Sequence, residues 1–449
     1  MFIDFLRESF TAKAESEAVV WRERGYSYGN LLERWERCRA ELDNQGVEAG
    51  KVVALEADFS PNAIALLLAL VERGCIVVPL TQAIARQKPE FLEIAEVEFF
   101  VALDGRDGLE WRRTSRCATH PLLRRLVEVG HPGLVLFSSG STGQSKAAVH
   151  DLLGLLEKFK IKRQARRAIA FLLYDHIGGW NTLLYQLANG GCVITVPERT
   201  PDGVLRAIQE HRVELLPTSP TFINLILLSK AYEQYDLSSL RLVTYGTEPM
   251  QESTLRQFHQ LFPLIELQQT YGLSELGILR SKSRASDSLW VKIGGEGFAT
   301  RIVEGLLEIK AQSAMLGYLN APSPFTEDGW FQTGDAVEVD GEWLRILGRR
   351  SEMINVGGEK VYPAEVESVL QEIPGVEEAV VGAERNAFTG SMVVARVKLA
   401  GAETVTSFRQ RMWVYCEGRL PRYKIPQKVV LLETSPAGER FKRMRQPSL

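Results

Sequence analysis

The stretch LVLFSSGSTGQSKAAVHD, Leu134 to Asp151, decides how the rest of the chain is read. Its apolar start reads as a buried strand. The strand delivers the chain into Ser138-Ser139-Gly140-Ser141-Thr142-Gly143, with Lys146 close behind. Glycines let backbone N–H groups approach an anion closely. Hydroxyls add donors, and a lysine supplies charge. Strand, hydroxyl-glycine turn and lysine together point to phosphate binding. The G-x-x-x-x-G-K-[ST] pattern of a Walker loop is absent. So is a G-x-G-x-x-G opening a helix, which a dinucleotide fold would need.

Outward from this loop, helical and strand-like stretches alternate. Tyr28–Leu42, Asn62–Arg73, Gly203–His211 and Phe222–Tyr232 read as helices. Lys51–Glu56, Cys75–Leu80, Cys192–Val196, Val213–Leu216 and Leu240–Tyr245 read as short strands. Strands separated by helical patterns predict βαβ units and mainly parallel sheets. Near Gly295 the texture changes to period-2 runs such as LLEIK, AVEVD and EWLRILG, which predict a small antiparallel barrel. A smaller α+β pattern follows, with helices over Ala364–Ile373 and Phe408–Leu420 and strands over Val376–Val381, Met392–Leu399 and Lys428–Leu432. The fold class expected is α/β: a large domain over 1–348 and a small domain over 349–449, divided at the polar run 348–352.

The 449 residues carry 53 Lys+Arg against 56 Asp+Glu, a net charge of −3, with 45% hydrophobic residues. Such a chain buries a sizeable core. The charge balance excludes a disordered chain or a dedicated nucleic-acid coat. The 5 cysteines are scattered without a C-x-x-C pair, so neither a disulfide framework nor a zinc site is expected. The start, MFIDFLRESF, lacks the charged and apolar regions of a secretory signal. The longest apolar stretch, Ala63 to Val71, falls far short of the roughly 20 residues a membrane helix needs. A cytoplasmic enzyme is the expectation.

With its further motifs in order, the chain resembles the adenylate-forming superfamily of acyl- and aryl-CoA synthetases, peptide-synthetase adenylation domains and luciferases. These motifs are SSGSTGQSK, Gly246-Thr247-Glu248-Pro249, Thr270-Tyr271-Gly272-Leu273-Ser274-Glu275, GWFQTGD ending at Asp335, and GRRSEMINVGGEKVYPAEVE from Gly348 to Glu367. The resemblance spans essentially the whole chain. It implies a two-step reaction. A carboxylate attacks the α-phosphate of ATP to give an acyl-adenylate, and a thiol then displaces AMP.

By motif position, Ser138, Ser139, Gly140, Ser141, Thr142, Gly143 and Lys146 would cradle the β- and γ-phosphates. Glu275 would hold Mg2+, and Ser274 would contact the α-phosphate. Tyr271 would lie beside the adenine, with Gly246, Thr247, Glu248 and Pro249 on its other side and Thr270 and Gly272 flanking. Asp335 would accept from the ribose hydroxyls, and Arg349 would reach the ribose or a phosphate. His176, in FLLYDHIGGW, matches a histidine set beside the substrate carboxylate. Gly357, Gly358, Glu359 and Lys360 read as a hairpin turn that would form part of the pantetheine tunnel.

Two positions depart from the family. Near the end, GERFKRMR keeps the K-x-x-R spacing at Lys442 and Arg445 but has Phe441 for the usual glycine. Lys442 is the expected catalytic lysine; another register sets Glu439 directly after Gly438 and leaves no lysine. The resemblance also implies that the small domain is mobile, with a hinge near 348–352 where Ser351 stands in place of the family's Asp or Lys. Trp180, Phe222, Ile223, Tyr245 and Leu276 are the expected acyl-pocket lining, and their apolar character suits a fatty or aromatic acid. Asp175 is the nearby acid that an amino-acid substrate could use. CoA is the expected thiol. The alternatives are the phosphopantetheine of a separate acyl carrier protein, or an adenylation-impaired carrier- or acyl-binding protein.

Overall fold

The computed structural model describes residues 2–139 and 145–433. Its centre is the helix Pro61–Arg73. Ser60 caps it by accepting from the Ala63 N–H, and Pro61 occupies the first turn, where its missing donor is harmless. Ala63 through Val71 are all buried. A helix apolar on every side must be covered on every side. Here two sheets do so, because Val53, Val77 and Leu136 of one and Val19 and Val193 of the other share its hydrophobic cluster.

Both sheets have seven strands. In the first, Arg167–Ile169, Leu215–Thr218, Leu242–Tyr245 and Glu266–Gln269 run parallel in that lateral order, and Cys192–Ile194 adjoins Arg167–Ile169. In the second, Phe99–Leu103, Val52–Glu56, Ile76–Leu80 and Gly133–Ser139 run parallel. Ser145–Asp151 and Gly317–Tyr318 then add antiparallel edges. The expected βαβ rhythm is thus borne out. The antiparallel barrel takes the form of a six-stranded sheet, in which Phe331–Asp340 lies between Leu306–Ala311 and Trp343–Arg349.

The small domain packs the helices Pro363–Gln371 and Val405–Cys416 on a five-stranded sheet. It follows a 3-10 turn at Arg350–Glu352, within the expected hinge. Boundaries differ from expectation where the backbone intervenes. The helix expected to reach Tyr232 ends at Ser229, because Lys230 turns left-handed at φ +53°. The strand expected to end at Val381 runs on to Asn386, paired throughout with Gly390–Leu399. All 5 cysteines are free. Burial pushes the thiols of Cys38, Cys75 and Cys192 up to about 12, so they stay protonated and inert.

Candidate active site

The strands Gly133–Ser139 and Ser145–Asp151, which flank the expected phosphate loop, pair antiparallel. Ser138 pairs with Lys146 and Ser139 with Ser145 across the two strands. Cross-strand partners share a face, so Ser138 and Lys146 project to the same side. Gly140, Ser141, Thr142 and Gly143 lie outside the described residues, as does Lys442. The Lys146 ammonium sits 5.3 Å from the centre of the Tyr318 ring. The Tyr318 hydroxyl donates to Glu275 Oε1 at 2.7 Å. One aromatic side chain therefore joins the end of the phosphate loop to the glutamate. Burial, and then the Glu275 charge, push the Tyr318 hydroxyl up, so it remains a donor.

The glutamate's own segment is pinned through its backbone. The carbonyls of Ser274, Glu275 and Leu276 accept in turn from His150 Nε2 at 2.6 Å, the Met315 N–H at 2.8 Å and the Ser313 hydroxyl at 2.6 Å. His150 is fully buried, and burial holds its pKa below the usual value. It is the neutral tautomer protonated on Nε2 that donates. His150 and Tyr318 did not emerge from the motif reading. His150 stands at the end of the quoted stretch and could have been weighed. Tyr318 has no local signal, because only the edge strand Gly317–Tyr318 brings it beside Lys146.

Asp335 forms a second centre. The register of two adjacent strands sets it opposite Arg349. Arg349 Nε lies 2.7 Å from Asp335 Oδ1, and the Tyr271 hydroxyl donates to Oδ2. Burial pushes the Asp335 carboxyl up, while Arg349 and the Tyr271 hydroxyl oppose this. The Glu275 charge acts on Asp335 and Arg349 as well as on Tyr318, which places both centres in one neighbourhood. A side chain on Gly246 would meet Thr270 O at 2.8 Å, so only glycine lets these two motif segments touch. Thr247 beside it holds φ +74°, a strained conformation for a β-branched residue. The Glu248 carboxylate accepts from the Thr221 N–H and hydroxyl, capping the helix Pro220–Ser229.

His176 caps the helix Ile177–Asn189, its Nδ1 accepting from the Gly178 N–H at 3.0 Å. With Nδ1 accepting, the ring carries its proton on Nε2. Asp175 is buried and accepts from the Thr81 hydroxyl at 3.1 Å. The five expected pocket residues are all buried, but they do not share one cluster. Trp180 packs in the central core and Leu276 against the antiparallel sheet. Phe222, Ile223 and Tyr245 pack together, with the Phe171 ring tilted at 46° and its centre 4.4 Å from that of Phe222.

In the small domain, Gly357 and Gly358 have φ +63° and +96° and turn the hairpin between Ile354–Val356 and Glu359–Val361. The Asn355 side chain accepts from the Gly358 N–H at 2.8 Å. Glu359 and Lys360 are exposed beside the turn. Among the described residues no group of three or more His, Cys, Asp or Glu could hold a metal ion by itself. No helix among them is long and apolar enough to cross a membrane.

The family model for AMP-binding enzymes matches residues 6–301. The chain belongs to this family. The model for the C-terminal domain of AMP-binding enzymes matches residues 365–442 of the same chain. This AMP-binding enzyme is similar to an indoleacetate–CoA ligase of Aromatoleum aromaticum, 28% identical over 93% of this chain and 92% of that one. It is also similar to a long-chain-fatty-acid–CoA ligase of Mycobacterium tuberculosis, 26% identical over 91% and 90%. Among solved structures, an anthranilate CoA ligase in complex with anthranoyl-AMP superposes with a TM-score of 0.81 at 20% identity, covering 97% and 94% of the two chains. An o-succinylbenzoate CoA synthetase of Bacillus subtilis, in complex with its acyl-adenylate, gives 0.77 at 20% identity over 98% and 96%. These structures share the fold. The AMP-binding enzyme is thus a member of the ATP-dependent acyl-CoA ligase family that the motifs resemble.

Proposed function

We propose that the protein joins a fatty or aromatic carboxylic acid to CoA in two steps. A carboxylate oxygen attacks the α-phosphorus of ATP and pyrophosphate leaves. The CoA thiol, as thiolate, then attacks the acyl carbonyl and AMP leaves. The observation that carries this reading is the Lys146–Tyr318–Glu275 bridge beside the Asp335–Arg349 pair. Adenylation crowds negative charge at one place, and preorganised positive and hydrogen-bonding groups must be waiting there.

Ser138 and Lys146 would face the phosphates from one side of the hairpin. Asp335, held by Arg349, would accept from the ribose hydroxyls. His176, with its proton on Nε2, would donate to the incoming carboxylate. Glu275 fits Mg2+ as its single protein carboxylate, since this cation takes one or two carboxylates together with substrate phosphates and neutralises their charge. Lys442 would bring a further positive charge to the carboxylate and α-phosphate. The Gly357–Gly358 turn would serve the thioester step. The apolar cluster of Phe222, Ile223 and Tyr245 supports an acid with an apolar body.

The test is carboxylate-dependent exchange of labelled pyrophosphate into ATP across fatty acids, benzoates and amino acids, followed by thioester formation with CoA or a loaded carrier protein. Exchange with an apolar acid and transfer to CoA are expected. Nucleotide binding without exchange on any acid would instead describe a binding protein. Exchange followed by transfer to the carrier alone would move the acceptor.

A further inference from the structure

Lys158 takes part in none of the chemistry above, yet it stands between two of the elements that perform it. Its amine donates to Asn181 Oδ1 at 2.6 Å and to the Ile278 carbonyl at 2.9 Å. Asn181 lies in the helix that opens at His176, and Ile278 ends the hairpin Gly272–Ile278 that carries Glu275. Both partners are neutral. The helix, IGGWNTLLYQLAN, contains no charged residue, and its other titratable groups are Tyr185 and the capping His176. The hairpin contributes Glu275, which is engaged by Tyr318. On the lysine's own segment Glu157 pairs with Lys160, and Arg163 adds repulsion. Burial, and then Arg163, lower the amine to about 7.

A partly buried amine held by two neutral oxygens, with the Phe159 ring 5.1 Å away, gains no ion pair from these contacts, so charge pairing does not explain its placement. We propose that Lys158 is a positioning residue, which locks the helix opening at His176 onto the hairpin carrying Glu275 and so sets the acid's carboxylate against the phosphates. This rests on the ligase reading above. A two-point hydrogen-bonded clamp fixes distance in a way apolar packing does not, and adenylation is sensitive to ångström-scale misplacement of its reactants.

The test is Lys158→Met and Lys158→Arg in the full chain. Lys158→Met is expected to speed amide hydrogen exchange at least tenfold in both Ile177–Tyr185 and Gly272–Ile278. Exchange in the small-domain strand Gly390–Leu399 is expected to stay as it is. Its Tm is expected to stay within about two degrees, because the desolvated amine is lost together with its two hydrogen bonds. In pyrophosphate exchange its kcat is expected to fall about tenfold with the KM for ATP within twofold, and Lys158→Arg, which keeps the donors, is expected to restore at least half of kcat. Unchanged exchange in either segment overturns the clamp. So does uniform loosening with a Tm lower by several degrees, which would mark a merely structural lysine. Wild-type protein inert toward every acid would sink the ligase reading, and hydrogen exchange alone would then decide the clamp.

Discussion

The surroundings of Asp335 and of Phe222, proposed as the ribose and acid sides of the site, are built from opposite materials. Around Asp335 every principal contact is polar: Arg349 at 2.7 Å, the Tyr271 hydroxyl, and the Thr333 hydroxyl accepting the backbone N–H at 3.0 Å. Around Phe222 the neighbours are Phe171, Ile223 and Tyr245, packed as a core packs. A buried charge must find named partners at set distances, so its neighbourhood reports its purpose. A buried phenyl ring needs only volume, so the same residue can line a pocket or fill a core.

Substitutions can widen or close this contrast. The largest expected effect lies on the apolar side: Phe222→Ala should lose about 3–5 kcal/mol of stability in urea titration, as large-to-small core changes do. A loss below about 1 kcal/mol, coupled with a changed preference among acids, would make Phe222 a pocket wall rather than core. Next comes Asp335→Ala, which strands Arg349 and the Tyr271 hydroxyl. Loss of charge-assisted hydrogen bonds predicts about a 100-fold fall in pyrophosphate exchange. Arg349 is partly open to solvent, so the stability change should be the smaller one.

Tyr318→Phe keeps the ring beneath Lys146 and removes only the donor to Glu275. A single hydrogen bond of about 1 kcal/mol predicts a roughly fivefold fall in exchange, read at limiting Mg2+. An unchanged rate would separate the loop from the glutamate. A further effect is with pH. The folded pKa of His150 is depressed by burial, so below its unfolded value the unfolded chain binds the proton first. Stability should therefore fall with acidification by up to about 1.4 kcal/mol per pH unit below roughly pH 6.5. His150→Gln should flatten that slope in thermal melts between pH 7 and 5.

Much of the fold was legible because its cues are local. Ser60, Pro61 and the all-apolar run to Val71 mark a buried helix at sight, and β-branched pentads such as Val52–Glu56 mark strands buried on both faces. The motif residues were legible for a related reason: unusual chemistry at fixed spacing is rare. What motif reading does not supply is a side chain's partners: the Glu248 carboxylate accepts from the Thr221 N–H at the start of the helix Pro220–Ser229, and the expected pocket residues fall into separate clusters.

From the order of its residues alone this protein was already readable as an α/β chain with a hydroxyl-glycine turn, a glutamate after T-Y-G-L-S and an aspartate after T-G, because helix caps, β-branched runs and hydroxyl-glycine turns act over a few neighbours. Only the tertiary structure decided that Tyr318 joins Lys146 to Glu275, that His150 holds the Ser274 carbonyl, and that Lys158 spans two walls of the site. Those contacts join residues more than 20 positions apart in the chain. They exist because sheet register and helix packing close the distance, which no local pattern encodes.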